Sequence, residues 1–164
     1  MAAALVQDFE FDLIFALPQK DTDQDAIAEA LFDAGCDDAL VGIGAPGLVG
    51  LAFTRSGHGA EEVILGAIEA SLSALPKGTR LREVKPDLVS QGDIASRLGV
   101  TRQALQKRDL PPPSIGGLYR ASEMFAALVA QPGKVKDALE EARPWFAAAP
   151  AAQRINAYLS LDVS

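Results

Sequence analysis

From Phe9 to Leu17 (FEFDLIFAL) apolar and polar positions alternate at first, with Phe9, Phe11 and Leu13 on one side. The run then turns apolar and is closed by Pro18. A period of two predicts a half-buried strand. The period then lengthens. Asp21–Asp25 supplies capping and first-turn acids for a helix with Ile27, Ala30, Leu31 and Ala34 on one face, and Gly35 follows in the position where helices end. Asp38–Ile43 and Leu48–Arg55 read as two strands joined by a Gly-Ala-Pro-Gly turn, a hairpin. From about Ala60 to Leu75 a second helical stripe holds Val63, Ile64, Ala67, Ile68, Leu72 and Leu75. Glu61, Glu62 and Glu69 lie outside it, and Pro76 and Gly78 end it. Thr79–Lys85 alternates again and predicts a fourth strand.

The order β-α-β-β-α-β predicts an α+β fold of the ferredoxin-like kind over residues 1–86, an antiparallel sheet with both helices on one face. This arrangement hosts enzymes, sensors and pairing modules alike, so it does not by itself indicate a function.

After Pro86 the pattern changes. Ser90 is placed to cap a short helix with Asp93 in its first turn and Ile94, Ala95 and Leu98 facing inward. Gly99 ends that helix where a left-handed backbone permits a sharp turn. Val100 fills the space between two helices. Thr101 caps the second helix, with Ala104 and Leu105 inside and Arg102, Gln103, Gln106 and Lys107 outside. Arginine and glutamine side chains carry the donors and acceptors that read guanine and adenine edges in a major groove. Thr101 and the helix's first amides suit a phosphate.

The run Ile94-Ala95-Ser96-Arg97-Leu98-Gly99-Val100-Thr101-Arg102-Gln103-Ala104 resembles the helix-turn-helix core shared by many bacterial regulators. The second helix breaks early, at Lys107–Pro111, and Arg108 stands where many repressors have an aliphatic residue. Pro111-Pro112-Pro113, a Ser114–Gly117 turn and Leu118-Tyr119-Arg120 then lead to Ser122-Glu123. From Leu88 to about Val129 this resembles the winged helix-turn-helix of MerR-type regulators and phage excisionases. In those, a proline-bearing strand, a wing and a helix capped by Ser or Asp follow a short recognition helix. The resemblance implies Arg120 and the Ser114–Gly117 loop at the phosphate backbone or minor groove. It does not extend to a MerR-type effector site or a long coiled-coil helix.

Charge sharpens this picture. The chain of 164 residues has a net charge of −7, which argues against a general nucleic-acid coat. Residues 1–86 hold 14 acidic and 6 basic side chains, whereas residues 87–131 hold 4 and 5. Arg97, Arg102, Lys107, Arg108 and Arg120 cluster in the second region, a local basic patch beside an acidic unit. Binding is therefore expected to depend on a few residues, chiefly Ser90, Thr101, Arg102, Gln103, Gln106, Lys107, Arg108 and Arg120.

Other chemistry has little to build on. Cys36 and His58 are the single cysteine and histidine, too few for an internal disulfide or a His/Cys zinc site. No metal, cofactor or enzymatic role is expected. Gly42, Gly44, Gly47 and Gly50 read as hairpin glycines, without the strand–helix context of a nucleotide-binding loop. No run approaches the roughly 20 apolar residues of a membrane span, and the start lacks a basic leader, so a cytoplasmic location is expected.

Beyond residue 131, Lys134–Arg143 reads as a helix and Pro144 as the start or kink of a segment bearing Trp145 and Phe146. Ala147–Ala152 reads as an Ala/Pro linker before a last helix over Ala151–Leu161, so residues 132–164 form a helical tail. Trp145 and Phe146 are expected to anchor a core or a dimer, or to dock another protein. The sequence thus points to a sequence-specific DNA-binding transcriptional regulator acting as a homodimer on double-stranded DNA. The alternative is an antitoxin-like or adaptor module whose helix-turn-helix face binds a protein partner.

Overall fold

A computed structural model of the chain describes residues 5–20, 23–42, 45–131 and 135–161. The expected helix start at Asp21, strand end at Ile43, turn residue Gly44 and chain break at Pro132-Gly133 lie outside these residues. The fold is mixed, with an antiparallel sheet and several helices.

The first six elements are β1 (Gln7–Ala16), α1 (Gln24–Asp33), β2 (Ala39–Gly42), β3 (Leu48–Gly57), α2 (Ala60–Ala74) and β4 (Arg80–Lys85). The strands form one sheet in the order β2-β3-β1-β4, and each neighbouring pair is antiparallel. The alternation in β1 carries through into packing. Phe9, Phe11, Leu13 and Phe15 are buried on one face with Val49, Leu51 and Phe53 of β3. Phe11 stands opposite Phe53 in the register, and their rings stack at 5.4 Å. Asp23 caps α1 by accepting the Asp25 N–H at 3.0 Å. Gly35 (φ 84°) and Gly47 (φ 81°) take the left-handed conformations that the turns after α1 and before β3 require.

On α2 the buried face differs from the expected stripe. Ser71 is buried and Leu72 is exposed. The Ser71 hydroxyl donates to the Ala67 carbonyl at 2.7 Å, which satisfies it away from water. A third helix lies against α2, so one stripe facing the sheet does not describe its surroundings.

That third helix is α7 (Arg143–Leu161), reached after β5 (Leu88–Val89), α3 (Gln91–Leu98), α4 (Arg102–Gln106), a single turn at Ile115–Gly117, β6 (Tyr119–Arg120), α5 (Ala121–Val129) and α6 (Lys136–Glu141). It corrects two expectations. Ala147–Ala152 is mid-helix, not a linker, although Pro150 sits inside it. The C-terminal segment is also no separate tail. Ala148, Ala151, Ala152 and Ile155 pack into the sheet core, whereas Trp145, Phe146 and Ala149 pack into a second core with α3, α4, α5 and α6. Alanine lets a helix approach closely on two sides, and burial on both offsets the hydrogen bond that Pro150 cannot donate.

The two cores also meet at polar seams. Asn156 of α7 covers the outer edge of β4: its Oδ1 accepts from the Val84 N–H and its Nδ2 donates to the Val84 carbonyl, both at 2.8 Å. The same Nδ2 reaches Asp87 Oδ2 at 3.0 Å, just past the linker into β5. An edge strand is thus closed by a side-chain amide standing in for a neighbouring peptide. At a second seam Arg97 of α3 pairs with Glu10 of β1 and lies 4.8 Å over the Trp145 ring.

Candidate nucleic-acid interface

The segment 90–107 folds by strictly local rules. Ser90 Oγ accepts the Asp93 N–H and Asp93 Oδ2 accepts the Ser90 N–H, both at 3.0 Å, which closes a capping box at the start of α3. Gly99 ends α3 at φ 66°, ψ 29°, and the Val100 N–H returns to the Ala95 carbonyl at 3.0 Å. Thr101 Oγ1 accepts the Ala104 N–H at 3.1 Å and starts α4. Ile94, Ala95, Leu98 and Leu105 are buried, and Val100 packs beside them. Ala104 was expected inside and is exposed. A helix of five residues (Arg102–Gln106) buries only Leu105.

Arg102, Gln103, Gln106 and Lys107 are all exposed on or just after α4, and Arg108 is half-buried. Among the described residues Arg102, Lys107 and Arg108 form no ion pair. Their charges are therefore not already neutralised by neighbouring carboxylates.

Two arginines leave the expected cluster. Arg120 donates from Nη1 to Asp87 Oδ1 at 2.6 Å, and its side chain is only 23% exposed. Asp87 is nearly buried, so Arg120 is the counter-ion it needs, and the strand pair β5–β6 brings the two together. The expectation of Arg120 at a phosphate gives way to this internal role. Arg97 likewise turns toward the sheet, to Glu10 and Trp145. Here it faces Asp12, whose pKa is pushed up by burial against the opposing pull of Arg97 and Lys85.

The segment after α4 departs from the expected wing. Leu110–Pro113 is not a strand; β6 instead pairs with β5, Leu88 opposite Arg120 and Val89 opposite Tyr119. Prolines remove the N–H groups a ladder would need. Between them the chain makes a tight loop in which the Ser114 N–H meets the Leu118 carbonyl at 2.6 Å and Gly116 and Gly117 have positive φ. Ile115 protrudes from its tip. Gln131 Nε2 holds the loop's base by donating to the Asp109 carbonyl at 2.7 Å. Ser122 does not cap α5: Arg120 precedes the helix without a side-chain cap, and the Ser122 hydroxyl points to Gln153 Oε1 at 3.4 Å.

Two residues with no expected role join the site. Gln106 Nε2 donates to Gln91 Oε1 at 2.9 Å, and Gln91 Nε2 donates to the Tyr119 hydroxyl at 2.8 Å. This chain of amides and phenol links β6, α3 and α4. Polar residues fifteen positions apart form no sequence motif, so only the fold reveals the contact.

Protein-family models, curated proteins and solved structures were compared with the chain, and none matches.

Elsewhere, the turn at Cys36–Asp38 is built into the fold. Arg55 Nε and Nη2 hold Asp38 at 2.7 and 3.2 Å, and the guanidinium lies 4.9 Å over Phe53. Its pKa rises chiefly through the hydrogen bond to Asp38. Cys36 is buried beside it, while His58 is exposed. Among the described residues no helix is long and apolar enough to cross a membrane, and no group of three or more His, Cys, Asp or Glu side chains is placed to hold a metal ion.

Proposed function

We propose that residues 87–131 are a winged helix-turn-helix that binds double-stranded DNA, in a sequence-specific transcriptional regulator that acts as a homodimer. The reading rests on one observation: α4 presents Arg102, Gln103, Gln106 and Lys107 together, exposed and without acidic partners among the described residues, behind a capped helix and a left-handed glycine turn. In this reading Arg102, Gln103 and Gln106 meet base edges, and Lys107 and Arg108 meet phosphates. Ser90 and Thr101 each use an oxygen to accept a backbone N–H, which leaves a hydroxyl proton to donate to phosphate oxygens. Arg120 is not part of this surface. Its role is to hold β6 beside β5 through Asp87.

The first six elements, with strand order β2-β3-β1-β4, fit a ferredoxin-like unit, and its acidic character suits pairing or sensing better than DNA contact. One short helix offers few base contacts, and two copies reading half-sites about one DNA turn apart would supply the rest.

The test is binding to genomic DNA fragments across a salt series. Affinity is expected to fall steeply with salt, and the Arg102→Ala/Gln103→Ala variant is expected to lose sequence-selective binding while keeping its fold by circular dichroism. Salt-insensitive or undetectable binding by the unaltered protein would refute the reading.

A further inference from the structure

We propose that Gln91 and Tyr119 are positioning residues that preset the Gln106 amide to read one adenine in the major groove. The inference rests on the DNA-binding reading above and deepens it. Gln103 and Gln106 lie on the same short helix, both exposed, with the same side chain. They differ in what holds them. Gln103 has no hydrogen-bond partner among the described residues, whereas Gln106 is tied through Gln91 to the Tyr119 hydroxyl.

A glutamine side chain free in water loses rotamer entropy when it docks on a base. Gln106 has met that cost on folding. Its amide spends one Nε2–H on Gln91 and retains the other, together with Oε1, which has no partner within the described chain. Oε1 and the second Nε2–H supply the acceptor and the donor that the N6 and N7 groups of adenine require. The anchor is firm because each component sits on a fixed element. Gln91 is the first residue of α3, directly behind the Ser90 capping box. Tyr119 opposes Val89 in the β5–β6 pair, one residue before that cap. The loop after α4 therefore contributes to base reading indirectly, by orienting Gln106 through Tyr119.

The experiment recovers a preferred duplex from a randomised library with the full chain, then measures affinity by fluorescence anisotropy for that duplex and for its single-base variants. One A·T pair is expected to be preferred over its G·C replacement by about 5- to 100-fold, and Gln106→Ala to erase that preference. Gln91→Ala and Tyr119→Phe are each expected to reduce it by about 2- to 10-fold at that same pair, the effect of losing one hydrogen bond. Neither removes charge, so the salt dependence stays unchanged. The Gln91→Ala/Gln106→Ala variant is expected to discriminate no worse than Gln106→Ala alone, because Gln91 acts only through Gln106.

The inference is overturned if Gln91→Ala and Tyr119→Phe discriminate like the unaltered protein, or weaken every duplex equally. If the chain binds DNA selectively but Gln106→Ala shifts no single position, the inference falls and the DNA-binding reading stands. Absence of DNA binding by the unaltered protein overturns both.

Discussion

The sheet core and the core around α3–α5 are built on different physical terms. The first rests on long-range pairing: β1 and β3 match over ten residue pairs, and a row of phenylalanines fills the face they share. Its register is strongly specified, because a slip of one residue would turn Phe9, Phe11, Leu13 and Phe15 to the opposite face. The second has helices of five to nine residues and a two-residue strand pair. Isolated helices of that length are marginal in water. They are held by a capping box, a left-handed glycine and the packing of Trp145, Phe146 and Ala149 from α7. The side chains proposed to read bases thus stand on the unit with less structure of its own, fastened to the sheet by a helix that belongs to both cores.

The largest effect on that comparison is expected at Phe146. It is buried, 5.0 Å from both the Phe125 and Trp145 rings. Phe146→Ala should cost about 3–5 kcal/mol in urea unfolding. If α7 couples the two cores, far-UV circular dichroism and Trp145 fluorescence will still report one transition at a lower midpoint. Two separated transitions, with the sheet signal unmoved, would show the cores to be independent.

Asn156 sharpens the comparison at the edge of the sheet. Asn156→Ala removes bonds to the Val84 N–H, the Val84 carbonyl and Asp87, leaving an uncovered strand edge and a nearly buried carboxylate with one partner fewer. A loss of about 1–3 kcal/mol is expected, with faster amide exchange at Val84 than in the middle of β3. Unchanged exchange at Val84 would mean that the edge is closed by something other than this amide.

The smallest effect is expected where Arg97 meets the sheet. Burial raises the Asp12 pKa above its ordinary value, so the folded chain holds this proton more tightly than the unfolded chain. The resulting stabilisation is complete below the unfolded value of 3.8 and is lost as pH rises through the folded value. Asp12→Asn should therefore gain stability at neutral pH, within about 1 kcal/mol beside solvated cations. The gain should vanish in acid, as read by melting temperature against pH. A loss at neutral pH would show that pairing with Arg97 and Lys85 outweighs desolvation.

Legibility in the sequence follows the range of the interactions. The positions of β1, α1 and β3 and the buried face of β1 were readable, because period and turn residues act within a few positions, although Ala34, expected on the inner face of α1, is exposed. The same holds for Ser90, Gly99 and Thr101, whose roles are settled by neighbours three or four residues away. Where two distant segments decide, the reading failed. Arg120 looked like a surface cation until Asp87 was placed beside it. Ala147–Ala152 looked like a linker until two cores closed around it. Leu72 and Ser71 exchanged faces on a helix that α7 also touches.

By itself, then, the sequence determined the local grammar of much of this protein: the strands and helices of the first six elements, the caps and glycine turn of α3 and α4, and the outward placement of Arg102, Gln103, Gln106 and Lys107. Tertiary structure alone decided which cations are spent internally, that the last helix unites two cores, and that Gln106 is held from behind by Gln91 and Tyr119. Caps and periodicity act over one turn of chain, whereas a counter-ion or a buttress depends on residues that meet only after the chain has folded back on itself.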